Sequence, residues 1–299
     1  MNWLSNHKIQ DRISLFIFLL PTLVFVFVFI AFPILFSGYL GFTEYNYAED
    51  ASPHFIGFSG YIDTILHDSF LHTALVNQFK FAIPYFIITF AVSFGLALLI
   101  GEVTRGIHHL QIIFYLPMII PLSLVGIAFS WILSPDLGVL NTILHKIGLS
   151  SWARDWYGDP STALYGLALA QSWKMIGFTF IIFLSGIQGI PRNLREAARV
   201  DGAGFLQEVF YIVIPSLRPY LLTGAIWITV NSLKVFDLPQ TVTKGGPGVA
   251  TLTLYLYSWN VAFQRFDMGL ASQIAYISAF IVLFISWMLN KLLNPESID

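Results

Sequence analysis

Cysteine is absent from this 299-residue chain, and charged residues make up only 11% of it. Without cysteine there can be no disulfide, no thiolate metal site and no cysteine nucleophile. The pattern G-x-x-x-x-G-K-[ST] occurs nowhere, so the chain carries no phosphate loop. The glycines at 245, 246 and 248, which invite that reading, suit a tight turn instead. No Asp or Glu lies deep in any long apolar run. That argues against the main alternative, an ion-coupled secondary transporter, which needs an intramembrane carboxylate. The seven histidines are scattered without the i, i+4 pairing that helical metal sites favour. No metal site is expected, and no catalytic residue is assigned.

What the chain has in abundance is apolar surface. It is 56% hydrophobic, with a mean hydropathy of +0.72, values that indicate a polytopic membrane protein. The net charge of −2 favours no charged partner, nucleic acid included. Charge-poor runs of bilayer length predict six transmembrane helices at about 13–39, 74–101, 107–133, 163–189, 220–236 and 268–290. The first is too long and bulky for a cleaved signal peptide, so it reads as a retained span. Pro117 and Pro121 in the third suggest a kink or cavity. With no repeat or linker, residues 1–299 read as one all-α transmembrane domain.

Orientation follows from Lys and Arg in the loops. One set of segments holds Lys8, Arg12, Arg105, Arg192, Arg195, Arg199, Arg218 and Lys291, eight in all. The opposite set holds Lys146, Arg154, Lys244 and Arg265, four in longer loops. The first outer loop, 44–73, has no Lys or Arg. Both termini and the segment Ile190–Pro219 are therefore expected to be cytoplasmic.

Ile190–Pro219 is the most charged run in the chain. It reads as two short helices with a hinge. Pro191 suits a first helical turn, Leu194, Ala197 and Ala198 recur at helical spacing, and Gly202 can supply a left-handed turn. Asp201 is placed to cap the second helix, which carries Phe205, Val209 and Ile212 until Pro215 and Pro219 stop it. Helices this short need a partner surface. An acid such as Glu196 in a first turn also favours the helix dipole unaided. Physics alone leaves an ordinary amphipathic loop and a docking element equally open.

The run Glu196-Ala197-Ala198, then Asp201-Gly202-Ala203, then Ile212-Val213-Ile214-Pro215 resembles the EAA loop of binding-protein-dependent ABC importer permeases. Ile214 stands where that family more usually has Leu. The likeness extends over nearly the whole chain, through Phe55-Ile56-Gly57 with Tyr61, Trp173-Lys174, Lys234 to Leu238, Thr243 to Gly248, Ala262-Phe263 and Asp267 to Ala271. The later motifs are similar to those of carbohydrate-uptake permeases. The absence of a Gly-Ala-Val-Lys-Gly tail is like the first, maltose-permease-F-like member of the usual pair. The resemblance implies a permease subunit of a bacterial or archaeal plasma membrane. It implies a second permease as heterodimer partner, an ABC ATPase dimer and an extracytoplasmic solute-binding protein. The substrate would be a sugar, oligosaccharide or related polyol such as a glycerol phosphodiester. No cofactor would sit in this chain, ATP and Mg²⁺ belonging to the ATPase. Glu196, Ala197, Ala198, Asp201 and Gly202 would form the ATPase-coupling element, with Glu196 capping the docking helix and meeting a basic residue of the ATPase.

Polar groups at membrane depth are costly and favour the protein interior. Gln171, Trp173, Asn231, Ser232 and Lys234 are the candidate substrate path, with Lys174 in the same set. A sugar needs an aromatic face for its C–H surface and amides or hydroxyls for its hydroxyl groups. The same polar groups serve equally as bonds between helices, and Lys234 and Asp237, three apart, are placed to pair with each other.

Overall fold

The computed structural model describes residue 16 and residues 18–101 and 106–293. Lys8, Arg12 and Arg105 of the basic set, and the start of the first expected span, lie outside the described residues. By internal contacts the chain divides into two compact units, residues up to His67 with Asn260–Tyr276, and Asp68–Trp259 with the segment from Ile277 onward.

The first unit begins with helix α1, Phe18–Leu40. It is apolar on every side, and none of its hydropathic window is buried. Its C-terminal end is held in the unit by the Tyr276 hydroxyl donating to the Ile34 carbonyl at 2.5 Å and by Ser37 and Ser272, 3.3 Å apart. A two-residue hairpin pairs β1, Thr43–Glu44, with β2, His54–Phe55. Helix α2, Ser59–His67, follows.

The second unit opens on Asp68, whose carboxylate accepts from the backbone N–H of Phe70 and Leu71 at 2.8 and 3.0 Å and so caps helix α3, Ser69–Ile100. That cap starts the helix five residues before the expected Ala74. The buried positions of α3, among them Leu71, Ala74, Gln78, Phe81, Tyr85, Thr89, Ser93 and Ala97, recur every three or four residues and pack chiefly on the helix Ala163–Gly189 and also on Ile214–Leu233.

The third expected span is broken. Helices α4, Ile107–Ile119, and α5, Leu122–Ile132, meet at 96°. The cause is Pro121, which drives the preceding Ile120 to an extended backbone (φ −68°, ψ 130°). A break inside an apolar segment frees carbonyls that lipid cannot satisfy. Lys174 satisfies them here, donating through Nζ to the carbonyls of Met118 and Ile120, each at 2.5 Å. A short helix, α6, Val139–Lys146, follows.

Helix α7, Ala163–Gly189, is the centre of this unit and is mostly buried, whereas α1 is almost wholly exposed. It packs chiefly on α3 and α4. At Gly177 the approach is backbone to backbone, since a Cβ there would collide with the Phe114 carbonyl. Two clusters of buried side chains flank it, one around Phe81, Tyr85, Phe129 and Ile228, the other around Phe180, Phe183, Ile187 and Leu217.

Beyond α8, Arg192–Val200, the chain enters a continuous helix α9, Phe205–Leu233. Pro215 and Pro219, read from the sequence as stops, lie inside it. The turn before Pro215, Val209–Val213, is wound as a π-helix, and Ile214 N–H bonds back five residues to the Val209 carbonyl. The wider turn makes room for the proline and absorbs its missing donor. Helices α10, Leu254–Gln264, and α11, Met268–Leu293, complete the described residues. Among the described residues five helices are thus long and apolar enough to cross a membrane, or six with the bent α4–α5 pair counted as one span.

The Lys174 contacts carry a prediction. Lys174→Met keeps the volume but takes the Lys174 donor from two half-buried carbonyls, at a cost of up to about 1–3 kcal/mol each. Thermal unfolding of the purified protein in detergent should show a clearly lowered midpoint, and an unchanged midpoint would show that the break is held by packing alone.

Candidate functional site

Two regions collect the residues singled out in the sequence. The first is the hinge between α8 and α9. Gly202 has φ +85°, and it closes α8 as the left-handed residue of a Schellman turn. Ala203 N–H donates to Ala198 O at 2.9 Å and Gly202 N–H to Arg199 O at 3.1 Å. A Cβ at 202 would meet nothing within 4 Å, so the demand for glycine is conformational rather than steric.

Asp201 does not cap the second helix. It terminates α8, while α9 is capped at Gly204, whose N–H donates to the Gln207 side chain at 2.8 Å. Glu196 is not in a first turn either. It sits in the middle of α8, exposed, and among the described residues nothing in the chain bonds to its carboxylate. Ala197 is exposed and Ala198 half-buried. Ala198, Asp201 and Gly202 line a shallow groove of ≈ 330 Å³ that also involves Glu208 and Tyr211.

Glu208 is the residue that sequence reasoning missed. Its side chain is 3% exposed and is gripped by two arginines of α8, by Arg195 through Nε and by Arg199 from Nε at 2.9 Å. These bonds fasten α8 to the first turn of α9. The signal in the sequence was the pair Arg195 and Arg199, one turn apart, facing an acid beyond the hinge. Around this clamp the apolar residues point outward. Leu194, Phe205, Leu206 and Phe210 are exposed, Tyr211 is 80% exposed and Val200 87%. Such a cluster on the most charged stretch of the chain marks an interaction surface.

The second region lies on α7 and α9. Tyr220, Thr223, Trp227, Asn231 and Lys234 recur every three or four residues along α9, forming its open face, while Gly224, Ile228, Thr229 and Ser232 are buried behind them. The indole of Trp227 lies against Phe178, centroids 4.7 Å apart, and Asn231 Nδ2 donates to the Trp227 carbonyl at 2.8 Å. On α7, Trp173 is 42% exposed and tilts against Phe129 with centroids 5.7 Å apart. An aromatic and hydrogen-bonding stripe of this kind is poorly suited to lipid.

The structure therefore divides the five candidates. Trp173, Asn231 and Lys234 lie on open faces. Gln171 and Ser232 are buried in the packing of α3, α7 and α9. Gln171 Nε2 donates to the Asn231 carbonyl at 3.2 Å, Ser232 Oγ to the Thr229 carbonyl at 2.7 Å, and Gln78 Nε2 to the Ser232 carbonyl at 2.7 Å. Among the described residues Lys234 and Asp237 form no ion pair.

Within the second unit, bilayer-length helices packed on a central, largely buried one, with a broken span and a polar stripe, are the build of a polytopic membrane protein. Over residues 87–295 the chain matches the family described as binding-protein-dependent transport system inner membrane component, and it belongs to that family. It is 32% identical over 284 residues to the probable ABC transporter permease protein YurN of Bacillus subtilis, covering 94% of this chain and 96% of that one. It is 30% identical to the sulfoquinovosyl glycerol transport system permease protein SmoG of Agrobacterium fabrum, covering 92% of this chain and 88% of that one. The trehalose/maltose transport system permease protein MalF of Thermococcus litoralis is 29% identical, with 94% of each chain covered. The fold is that of a crystallised bacterial alginate ABC transporter in complex with an alginate pentasaccharide-bound periplasmic protein, with a TM-score of 0.81, 24% identity and 98% of each chain covered.

Proposed function

We propose that this chain is the membrane subunit of an ATP-driven ABC importer for a sugar or related polyol, delivered by an extracytoplasmic solute-binding protein. The observation that carries the reading is the α8–α9 hinge, a clamped two-helix element with an unpartnered Glu196 and a collar of exposed apolar side chains. Such a surface suits the cleft of a separate ATPase dimer, which supplies ATP hydrolysis and Mg²⁺. Closure of that dimer pushes on the hinge. Because the Arg195–Glu208–Arg199 bonds join the hinge to the first turn of α9, the push reaches a membrane-spanning helix directly. Glu196, Ala197, Ala198, Asp201 and Gly202 form the coupling surface. Both termini face the cytoplasm, residues 1–299 act as one permease domain, and a second permease completes the translocation path.

The sugar class is supported by the stripe on α9 and by Trp173. Aromatic faces take the C–H surface of a sugar ring, and Thr223, Asn231 and Lys234 offer hydrogen bonds to hydroxyl groups. Several relatives are named for carbohydrate transport. Gln171 and Ser232 support the path from behind by holding the backbone of α9.

The test is reconstitution in lipid vesicles. The chain alone is expected to hydrolyse no ATP. The assembled complex should hydrolyse ATP faster when the sugar-loaded binding protein is added and should accumulate sugar. Turnover by the purified chain alone, or uptake driven by an ion gradient without ATP, would overturn the reading.

A further inference from the structure

Helix α6 carries an apolar stripe that is left open among the described residues. Val139, Ile143 and Ile147 recur every four residues along α6 and its C-terminal cap, and all three are exposed. Successive helical positions lie about 100° apart, so the three fall within one arc about 80° wide. Leu140, on one side of that arc, packs against the buried cluster around Phe129. Thr142 and Lys146, on its other side, are exposed, as is His145. The apolar face of α6 is therefore wider than the protein fills. Leu137, just before the helix, and Trp152, in the turn after it, are 89% and 61% exposed.

Looseness does not account for this exposure. Asn141 is buried beneath α6, and its Nδ2 donates to the carbonyls of Pro135 and Arg154 at 3.0 and 2.9 Å. Its Oδ1 accepts from Trp156 Nε1 at 2.8 Å. One amide thus ties the chain before α6 to the chain after it and fixes which face turns outward.

The level of α6 along the spans indicates what covers the stripe. A Cβ at Gly166, in the first turn of α7, would touch Leu133 at 3.4 Å, so α5 ends level with the start of that span. Helix α7 has 27 residues. That is about 40 Å of helix against a hydrocarbon core of about 30 Å, so its end turns reach the headgroup zone. Helix α6 packs against α5 and lies at that level. The stripe also continues a lipid-type surface. Leu124, Ile127 and Trp131 form an exposed apolar row on α5, which ends on Trp131 at 75% exposure. Tryptophan at headgroup level, and a lysine beside an outward apolar stripe, are the composition of a helix lying in a membrane interface. Lys146 forms no ion pair among the described residues. The carboxylates of Asp155 and Asp159 are turned to their own loop, accepting from Gly158 and Ser161 N–H at 2.8 Å.

We propose that α6 lies in the headgroup boundary of the bilayer, its Val139–Ile143–Ile147 stripe against the upper acyl chains and Lys146 extended to lipid phosphates. This anchor goes beyond the importer reading and needs only that α5 and α7 lie in a membrane. It fixes the far end of the broken span to lipid.

The chain has no cysteine, so single-cysteine variants can each carry one nitroxide label. The experiment places Val139→Cys, Ile143→Cys and Ile147→Cys, labelled, in the complete complex in vesicles of phosphatidylethanolamine and phosphatidylglycerol. Collision with oxygen, which concentrates in the bilayer, should exceed collision with a water-soluble nickel chelate several-fold at all three positions. The ratio should reverse at Thr142→Cys and His145→Cys. Equal access of both reagents to the stripe would mean a face in water and would overturn the proposal. Shielding from both would mean a protein cover such as a second permease, and nickel access lost only when the sugar-loaded binding protein is added would mean that protein covers it. Either outcome also overturns the proposal and leaves the importer reading standing. Brominated lipids give a second reading that needs no label. They should quench a smaller share of the tryptophan emission in Trp152→Phe than in the wild-type complex, and an unchanged share counts against lipid contact.

Discussion

Glu196→Ala and Gly202→Val should each abolish uptake while the protein still reaches the membrane. Neither residue touches the buried clusters. Glu196 is exposed, and a side chain at 202 would meet nothing within 4 Å. In the proposed docking the losses therefore fall on the partner side. There, removing the Glu196 carboxylate would delete a charged contact with the ATPase worth about 1–3 kcal/mol when partly buried at the interface. Valine at 202 must either adopt φ near +85°, at about 1–2 kcal/mol for a residue with a Cβ and more for a β-branched one, or abandon the Schellman turn. The second course rotates α8 against α9. In both variants the binding protein should still deliver substrate, but ATP hydrolysis should no longer respond to it. Wild-type uptake with substrate-stimulated hydrolysis intact, in either variant, would remove the hinge from the coupling role.

Glu208→Gln is expected to uncouple the complex by a different route. The carboxylate is buried between Arg195 and Arg199. Removing one partner of a buried ion pair costs about 3–5 kcal/mol. Half-exposure of Arg199 brings this case toward the lower end, because solvent takes over part of its charge. The two guanidinium groups are then left facing a neutral amide, and α8 is no longer fastened to the first turn of α9. Glu196 remains free to dock. The ATPase should therefore still bind the permease, yet its closure should not move α9. Co-purification of the ATPase at wild-type yield, together with lost uptake, is the expected signature. Loss of ATPase binding would mean that Glu208 shapes the docking surface itself, and full uptake would mean that the clamp transmits nothing.

Much of this protein was legible from the chain alone, for three physical reasons. A bilayer demands runs of about 20 apolar residues, a constraint that operates on sequence directly. Six such runs are visible, and a membrane helix or helix pair stands at each. Left-handed backbone likewise selects glycine locally, which is why Gly202 could be placed at the turn before any neighbour was known. Pro121 after Ile120 is a third local signal, and the break in the third span follows it.

What only the tertiary structure decided concerns competition between partners. Pro215 and Pro219 read as stops, but a π-turn at Val209–Val213 let the helix run through them, and no local rule announces that turn. Asp201 and Gly204 are both adequate caps in isolation, and Gln207 settled the matter by reaching back to Gly204. Asn231 and Ser232 are adjacent and equally polar. Only the packing of α9 on α3 and α7 puts Ser232 inside and Asn231 on the open face, because successive residues on a helix point about 100° apart. Glu208 is one acid among many in sequence. It becomes a clamp because folding places two arginines from another helix around it, and that proximity belongs to three dimensions alone.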